Sequence, residues 1–233
     1  MTRCGKAAWL ALVLVGAALL GWGEAGTALS PVLQVDYSNP GLSSSHWNLT
    51  LYPDGTGHFR SDRRNRVADT SQGEAPDNDR VIQAPDVDRD VRVSAKFADH
   101  VFQTVRKHDL FKSGCESHLK VAFQGWKELS YSGPEGTGSC KFNYSKDKDI
   151  QTLGDSLVAV AETIMEGARL ETLLQHDRLG LDSEMEYLVE AAKDGRTQEI
   201  RTIRGILDRL AADPDVMERV RKRARLLLAG IGK

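Results

Sequence analysis

Apolar positions along the chain change their period several times, and each change predicts an element. Trp47, Leu49 and Leu51 alternate with polar neighbours, Pro53-Asp54-Gly55 supplies a turn, and His58-Phe59-Arg60 leads away from it. Proline presets φ and glycine accepts a positive φ, so Ser45 to Arg60 reads as a β-hairpin. From Ala95 to His108 the period becomes helical. Phe97, Val101 and Val105 recur every four residues, and Ser94 is placed to cap the first turn. After Cys115 the period returns to two. Leu119, Val121 and Phe123 alternate, Gln124-Gly125 turns, Leu129 and Tyr131 alternate again, and the glycine-rich GPEGTGS leads to Cys140, Phe142 and Tyr144. This predicts a three-strand meander with one apolar face.

A long helix is expected from Asp149 to His176, with Ile150, Leu153, Leu157, Val160 and Ile164 on one stripe and Gly167 as a point of kinking or interruption. The remainder reads as helical. Ser183-x-x-Glu186 matches a capping box, Gly195 stops that helix, Thr197 is expected to cap the next, and Asp213-Pro214 restarts the chain with a proline at the first helical position. The amphipathic stripes of these short helices need a covering surface, and Leu170, Leu173 and Leu174 are the expected docking residues. The fold class is therefore α+β. A small antiparallel sheet, hairpin plus three-strand meander, is packed by helices over residues 30–180, and an all-helical C-terminal extension covers 181–233.

Between the hairpin and the first helix, residues 61–90 are dense in Asp and Arg, include Pro76 and Pro85, and lack leucine and aromatic residues. Such a stretch buries little apolar surface to offset its ordering entropy and is expected to be a long mobile loop, with a short strand near Val91 and Val93. Asp86, Asp88 and Asp90 imitate the opening of a calcium loop, but Val91 and Phe97 stand where that loop needs glycine and glutamate.

The N-terminus changes the compartment. Arg3 and Lys6 precede an uncharged run from Ala7 to Leu20, too short for a bilayer-spanning helix and right for the apolar region of a secretory signal. Small residues suit cleavage after Ala25, or after Ala28. Residues 1–25 are thus expected to be a signal peptide and the mature protein to be exported, periplasmic or extracellular. An uncleaved segment would instead anchor it. With Cys4 in the signal, Cys115 and Cys140 remain, and two cysteines in an oxidising compartment are most simply read as one bridge. In a plain meander they would stand two strands apart, so the 115–118 segment must bend beneath the sheet or the strand order must differ.

The hairpin WNLTLYPDGTGHFRS, the helix FADHVFQTVRKHDLF and the CKFNYSKD preceding the long helix resemble secreted bacterial domains of unknown function. The resemblance covers about half of the mature chain, implies a fold and carries no activity or residue role.

Charge is uneven. From Arg196 to Lys233 ten basic residues face five acidic ones, whereas the formal net charge of the whole chain is −2. That balance argues against nucleic-acid binding. On the last helix Arg219, Arg221, Lys222, Arg223 and Arg225 form a basic face. It is either a solvated surface or a site for an anionic partner, such as an anionic envelope component or another exported protein. Two N-x-S/T triplets occur, at Asn48 and Asn143. No catalytic residue, metal ligand or cofactor is assigned, because HExxH, G-x-S-x-G, P-loop and zinc-spaced cysteine patterns are all missing from the sequence. The expected function is an exported, non-enzymatic binding or protein-interaction module. The alternative is a hydrolase whose dispersed residues, among them His46, His58 or His118 with nearby carboxylates, assemble only in three dimensions.

Overall fold

Alternation places one face of every strand in the core. In a computed structural model, which describes residues 30–42, 46–62 and 86–231, six strands form one antiparallel sheet. They are β1 (Val32–Ser38), β2 (His46–Leu51), β3 (Thr56–Asp62), β4 (Val87–Arg92), β5 (Trp126–Gly133) and β6 (Gly136–Phe142), in the order β4-β3-β2-β1-β5-β6. The register sets Val35 opposite Leu49 and Leu129, and Leu49 opposite Phe59, so that the buried side chains form rows across the sheet. Helix α1 (Ala95–Lys107) falls between β4 and β5, and helix α2 (Lys148–His176) follows β6. Ala98, Val101, Phe102 and Val105 of α1 and Ile150 to Ala168 of α2 share one apolar cluster with the inner face of the sheet. Each large side chain so buried contributes about 1.5–3 kcal/mol.

The expected hairpin of residues 45–60 is present as β2 and β3, and β1 and β4 extend it on either side, while the expected meander keeps two of its three strands. A meander thus runs through β1 to β4, and β5 with β6 forms a hairpin. Residues 119–123, expected as a strand, lie in an unpaired connection, because β5 already has β1 on one side and β6 on the other. Conversely β1 is a strand that the sequence reading does not assign, although Leu33, Val35 and Tyr37 alternate. The stretch expected as a loop over 61–90 contributes the end of β3 and most of β4; residues 63–85 lie outside the described residues, as do 1–29 and with them the signal-peptide expectation.

Local signals hold at the two main helices. Ser94 Oγ accepts the Phe97 N–H at 3.1 Å and caps α1. Asp147 caps α2 by accepting from Asp149 and Ile150. Helix α2 runs through Gly167 without interruption. A Cβ there would stand 2.2 Å from Ile203 Cγ2, so the glycine serves close helix packing and not a kink.

The last part is helical, with α3 (Leu181–Lys193), a 3-10 turn at Ile200–Ile203, α4 (Arg204–Ala212) and α5 (Glu218–Gly230). Three caps differ from expectation. Ser183 lies inside α3 and donates to the Gly180 carbonyl, so the capping box is not formed. Thr197 is buried without capping a helix, and Asp213 accepts from the Asp215 N–H in a turn while α5 begins only at Glu218. Gly195, at φ +81°, does end α3. These helices bury their stripes in a second apolar cluster with Leu170 and Leu173 of α2, and Leu174 packs against it. No helix among the described residues is long and apolar enough to cross a membrane.

Candidate functional site

The face of the sheet opposite the helices is polar because every second residue of each strand is. Gln34 and Asp36 on β1, Asn48 and Thr50 on β2, His58 and Arg60 on β3, and Glu128 and Ser130 on β5 lie on it. Its centre is a shallow depression of about 460 Å³ between β1, β2 and β5, lined by Asp36, Asn48 and Glu128. Beside it His46 Nε2 stands 2.9 Å from Asp36 Oδ2, which also accepts from Asn48. Further out His58 lies 3.0 Å from both Asp88 and Asp90, and the hydrogen bond to Asp90 holds this exposed imidazole above its usual pKa.

One corner of this face carries the least expected feature. After α1 the backbone takes positive φ at Asp109, Leu110 and Phe111, a left-handed turn that buries Leu110 and Phe111. The chain then reaches β6, where Cys115 and Cys140 are joined with their Cα atoms 5.6 Å apart. Such a bridge is consistent with an oxidising compartment; of the two arrangements expected to allow it, the strand order is the one that differs, and beside it the Ser117 N–H donates to the Tyr144 carbonyl at 3.0 Å.

From there residues 116–125 cross to the start of β5, fastened at both ends. Glu116 accepts the Asn143 N–H at 2.7 Å and the His118 N–H at 3.1 Å. Burial opposes the charge of this carboxylate, but the Asn143, His118 and Ser117 donors outweigh it and hold its pKa below the usual range. The Asn143 side chain accepts the Gln124 N–H at 2.7 Å and donates to the Ala122 carbonyl. Tyr37 donates its hydroxyl to the Gln124 carbonyl at 2.8 Å, and Gly125, at φ +102°, leaves room for that ring. Asn143, noted in the sequence as a triplet, is thus the clasp of the crossover.

The clasped segment points its apolar residues outward. Leu119 is 50%, Val121 42% and Phe123 50% exposed, and Trp126, the first residue of β5, is 38% exposed. Phe123 meets Trp126 edge-on at 6.0 Å, and the Lys141 ammonium lies over the Trp126 ring. The sequence identifies Leu119, Val121 and Phe123, though not Trp126, as an apolar row; it is the unavailability of a ladder position that turns the row toward solvent.

The other places named from sequence are less open. On the basic face, Arg219 and Arg223 pair with Asp182, Arg223 also with Glu186, and Arg221 and Arg225 with Glu218; Lys222 is exposed beside Glu218. Four of the five cations therefore share three of the protein's own carboxylates. The extension's positive charge serves helix packing: Asp182 and Glu186 stand on α3 and the arginines on α5.

A cluster that the sequence does not reveal gathers His108 with Asp147 and Asp149, each offering an atom within 4.8 Å of the others. Lys107 places its ammonium on Asp149, and Asp147 caps α2, so the group joins the end of α1 to the start of α2.

The chain matches no protein-family model and no curated protein.

Proposed function

We propose that this protein is an exported, non-enzymatic interaction module that receives another exported protein on the row Leu119, Val121, Phe123 and Trp126. The observation that carries the reading is the exposure of these four large apolar side chains, at 38% or more each, on a backbone fixed by the Cys115–Cys140 bridge and the Asn143 clasp. A rigid apolar ledge loses little conformational entropy on docking, which is what a recognition surface requires. The bridge supports an oxidising compartment, and the uncharged run from Ala7 to Leu20 supports export with cleavage after Ala25 or Ala28. A protein partner is favoured over an anionic envelope surface because most cations of the basic face are already paired.

The test compares the wild type with Leu119→Ser/Phe123→Ser in crosslinking from the native envelope, with thermal melting as the control for folding. The expected result is a crosslinked partner that the variant loses at unchanged melting temperature. Identical crosslinks from both proteins overturn the reading, and loss of binding to anionic vesicles in place of a protein assigns the row to a lipid surface.

A hydrolase reading draws on His46, held against Asp36 beside the open depression, with Ser38 opposite His46 in the register. No hydrogen bond joins Ser38 to His46 among the described residues, so the activated nucleophile that a hydrolase needs is not assembled. Ester hydrolysis abolished by His46→Ala would restore that reading.

A further inference from the structure

A carboxylate withdrawn from water needs a counter-charge or a proton. Helix α2 withdraws two, Glu162 and Glu166, one turn apart on the side that meets α3. Glu166 Oε2 is buried without a hydrogen-bond partner. Glu184 of α3 adds a third carboxylate, and Arg169 lies 2.9 Å from it. Glu162 makes no hydrogen bond and no ion pair among the described residues. The cations nearby are committed elsewhere. Arg196 lies 2.9 Å from Asp194 and stacks over the Tyr187 ring, while Lys127 lies 3.5 Å from Asp155 and 3.4 Å from the Asn143 carbonyl. Glu184 is thus paired with Arg169, whereas Glu162 and Glu166 have no ion pair among the described residues. Burial raises the pKa of Glu162, and burial followed by Glu184 raises that of Glu166.

Above Glu162 opens a pocket of about 440 Å³. Val158 and Ala159 give it an apolar floor, and Gln124, Tyr187, Arg196 and the Lys127–Asp155 pair form its rim. An apolar floor below an uncompensated carboxylate is the complement of a cation carried on a hydrocarbon stem. We propose that this pocket binds a primary ammonium group on a short apolar stem, the chemistry shared by small alkylamines and lysine side chains, with Glu162 as its counter-ion. The pocket adjoins the segment that carries the Leu119–Trp126 row, through Gln124, but its proposal does not rest on that row. The proton competes with the ammonium at Glu162. The groups that face this carboxylate or share its pocket are Glu166 and Asp155 on α2, Tyr187 on α3, Arg196 after α3, Tyr37 on β1 and Lys127 on β5, and among them Arg196 and Lys127 are the cations, each held by another carboxylate. Binding is therefore stronger at pH 8 than at pH 5.

The experiment is a titration followed by amide NMR in phosphate, since Tris is itself a primary amine. n-Butylammonium is the probe, n-butanol the neutral control and Nα-acetyl-lysine amide the second arm. Saturable shifts at Glu162, Tyr187 and Gly195 are expected with n-butylammonium and not with n-butanol. A higher affinity for one amine arm identifies the source. Glu162→Gln keeps the side-chain shape and removes a charge that burial opposes, so its melting temperature should hold while amine affinity falls about tenfold or more, the loss of one charge-assisted hydrogen bond. Arg196→Ala removes a competing cation from the rim and should tighten amine binding. Equal shifts with butanol, shifts that do not saturate, unchanged affinity in Glu162→Gln, or weaker binding in Arg196→Ala each overturn the proposal.

Discussion

Replacing Gly167 by alanine tests the junction between α2 and the C-terminal helices. In an exposed helix interior this change gains about 1 kcal/mol from propensity. At Gly167 the added Cβ would stand 2.2 Å from Ile203 Cγ2 and 2.9 Å from Ile203 Cβ. Ile203 is buried and cannot easily retreat, because the segment before it is tied to α2. Thr163 Oγ1 donates to the Gln198 carbonyl at 2.6 Å, and the Gln198 N–H returns to Thr163 Oγ1 at 3.0 Å. Overpacking of this kind costs about 1–3 kcal/mol and outweighs the gain. The expected net loss is about 1–2 kcal/mol, or about 2–8 °C in Tm for a chain of this size. Gly205 is the control, since it lies in α4 with nothing within 4 Å of an added Cβ, and Gly205→Ala should be neutral or stabilising. Urea and thermal denaturation of both variants read the difference, and Gly167→Ala/Ile203→Ala should cost less than the sum of its single changes. A Gly167→Ala protein that melts at or above the wild type refutes the packing argument.

Three further outcomes follow from the same structure. Cys115→Ser/Cys140→Ser should lower the unfolding free energy by about 3 kcal/mol, the loop-closure value for this separation, and an unchanged urea midpoint would contradict it. The Glu166 carboxyl, raised from 4.5 to about 9 by burial and then by Glu184, keeps in the folded state a proton that the unfolded chain releases. Its contribution is present below pH 4.5 and is lost as pH rises through 9, so Tm should fall between pH 5 and pH 9 and Glu166→Gln should flatten that fall; equal slopes would exclude the assignment. Arg223→Ala, which breaks a largely buried pair to Asp182 and an exposed one to Glu186, should cost about 1–2 kcal/mol, whereas Lys222→Ala should leave urea stability within about 0.5 kcal/mol.

What the sequence makes legible here is what a few adjacent residues decide. Phe97, Val101 and Val105 mark α1, Ser94 its cap, and Pro53-Asp54-Gly55 the β2–β3 turn, because each signal acts over one or two turns of chain. Leu119, Val121 and Phe123 carry a strand's alternation just as clearly. Whether that alternation is used depends on a vacancy in a ladder, and β1, arriving from the other end of the sequence, has filled it. The pairing of Arg223 with Asp182 and the gathering of His108 with Asp147 and Asp149 are equally non-local, so a sequence reading sees a basic face and scattered histidines where the fold makes paired contacts. The candidate site is accordingly legible as apolar residues but not as a surface.

The central place of β1 also gives the molecule a mechanical character. Pulled through the backbone preceding Val32, the protein must yield at a strand hydrogen-bonded along one side to β2 and along the other to β5. The two ladders bear the force together, and β4, β3 and β6 cannot peel away first to relieve it. When β1 does give, the meander and the β5–β6 hairpin lose the strand that unites them, so unfolding under force from this end should occur as a single high-force rupture of the sheet.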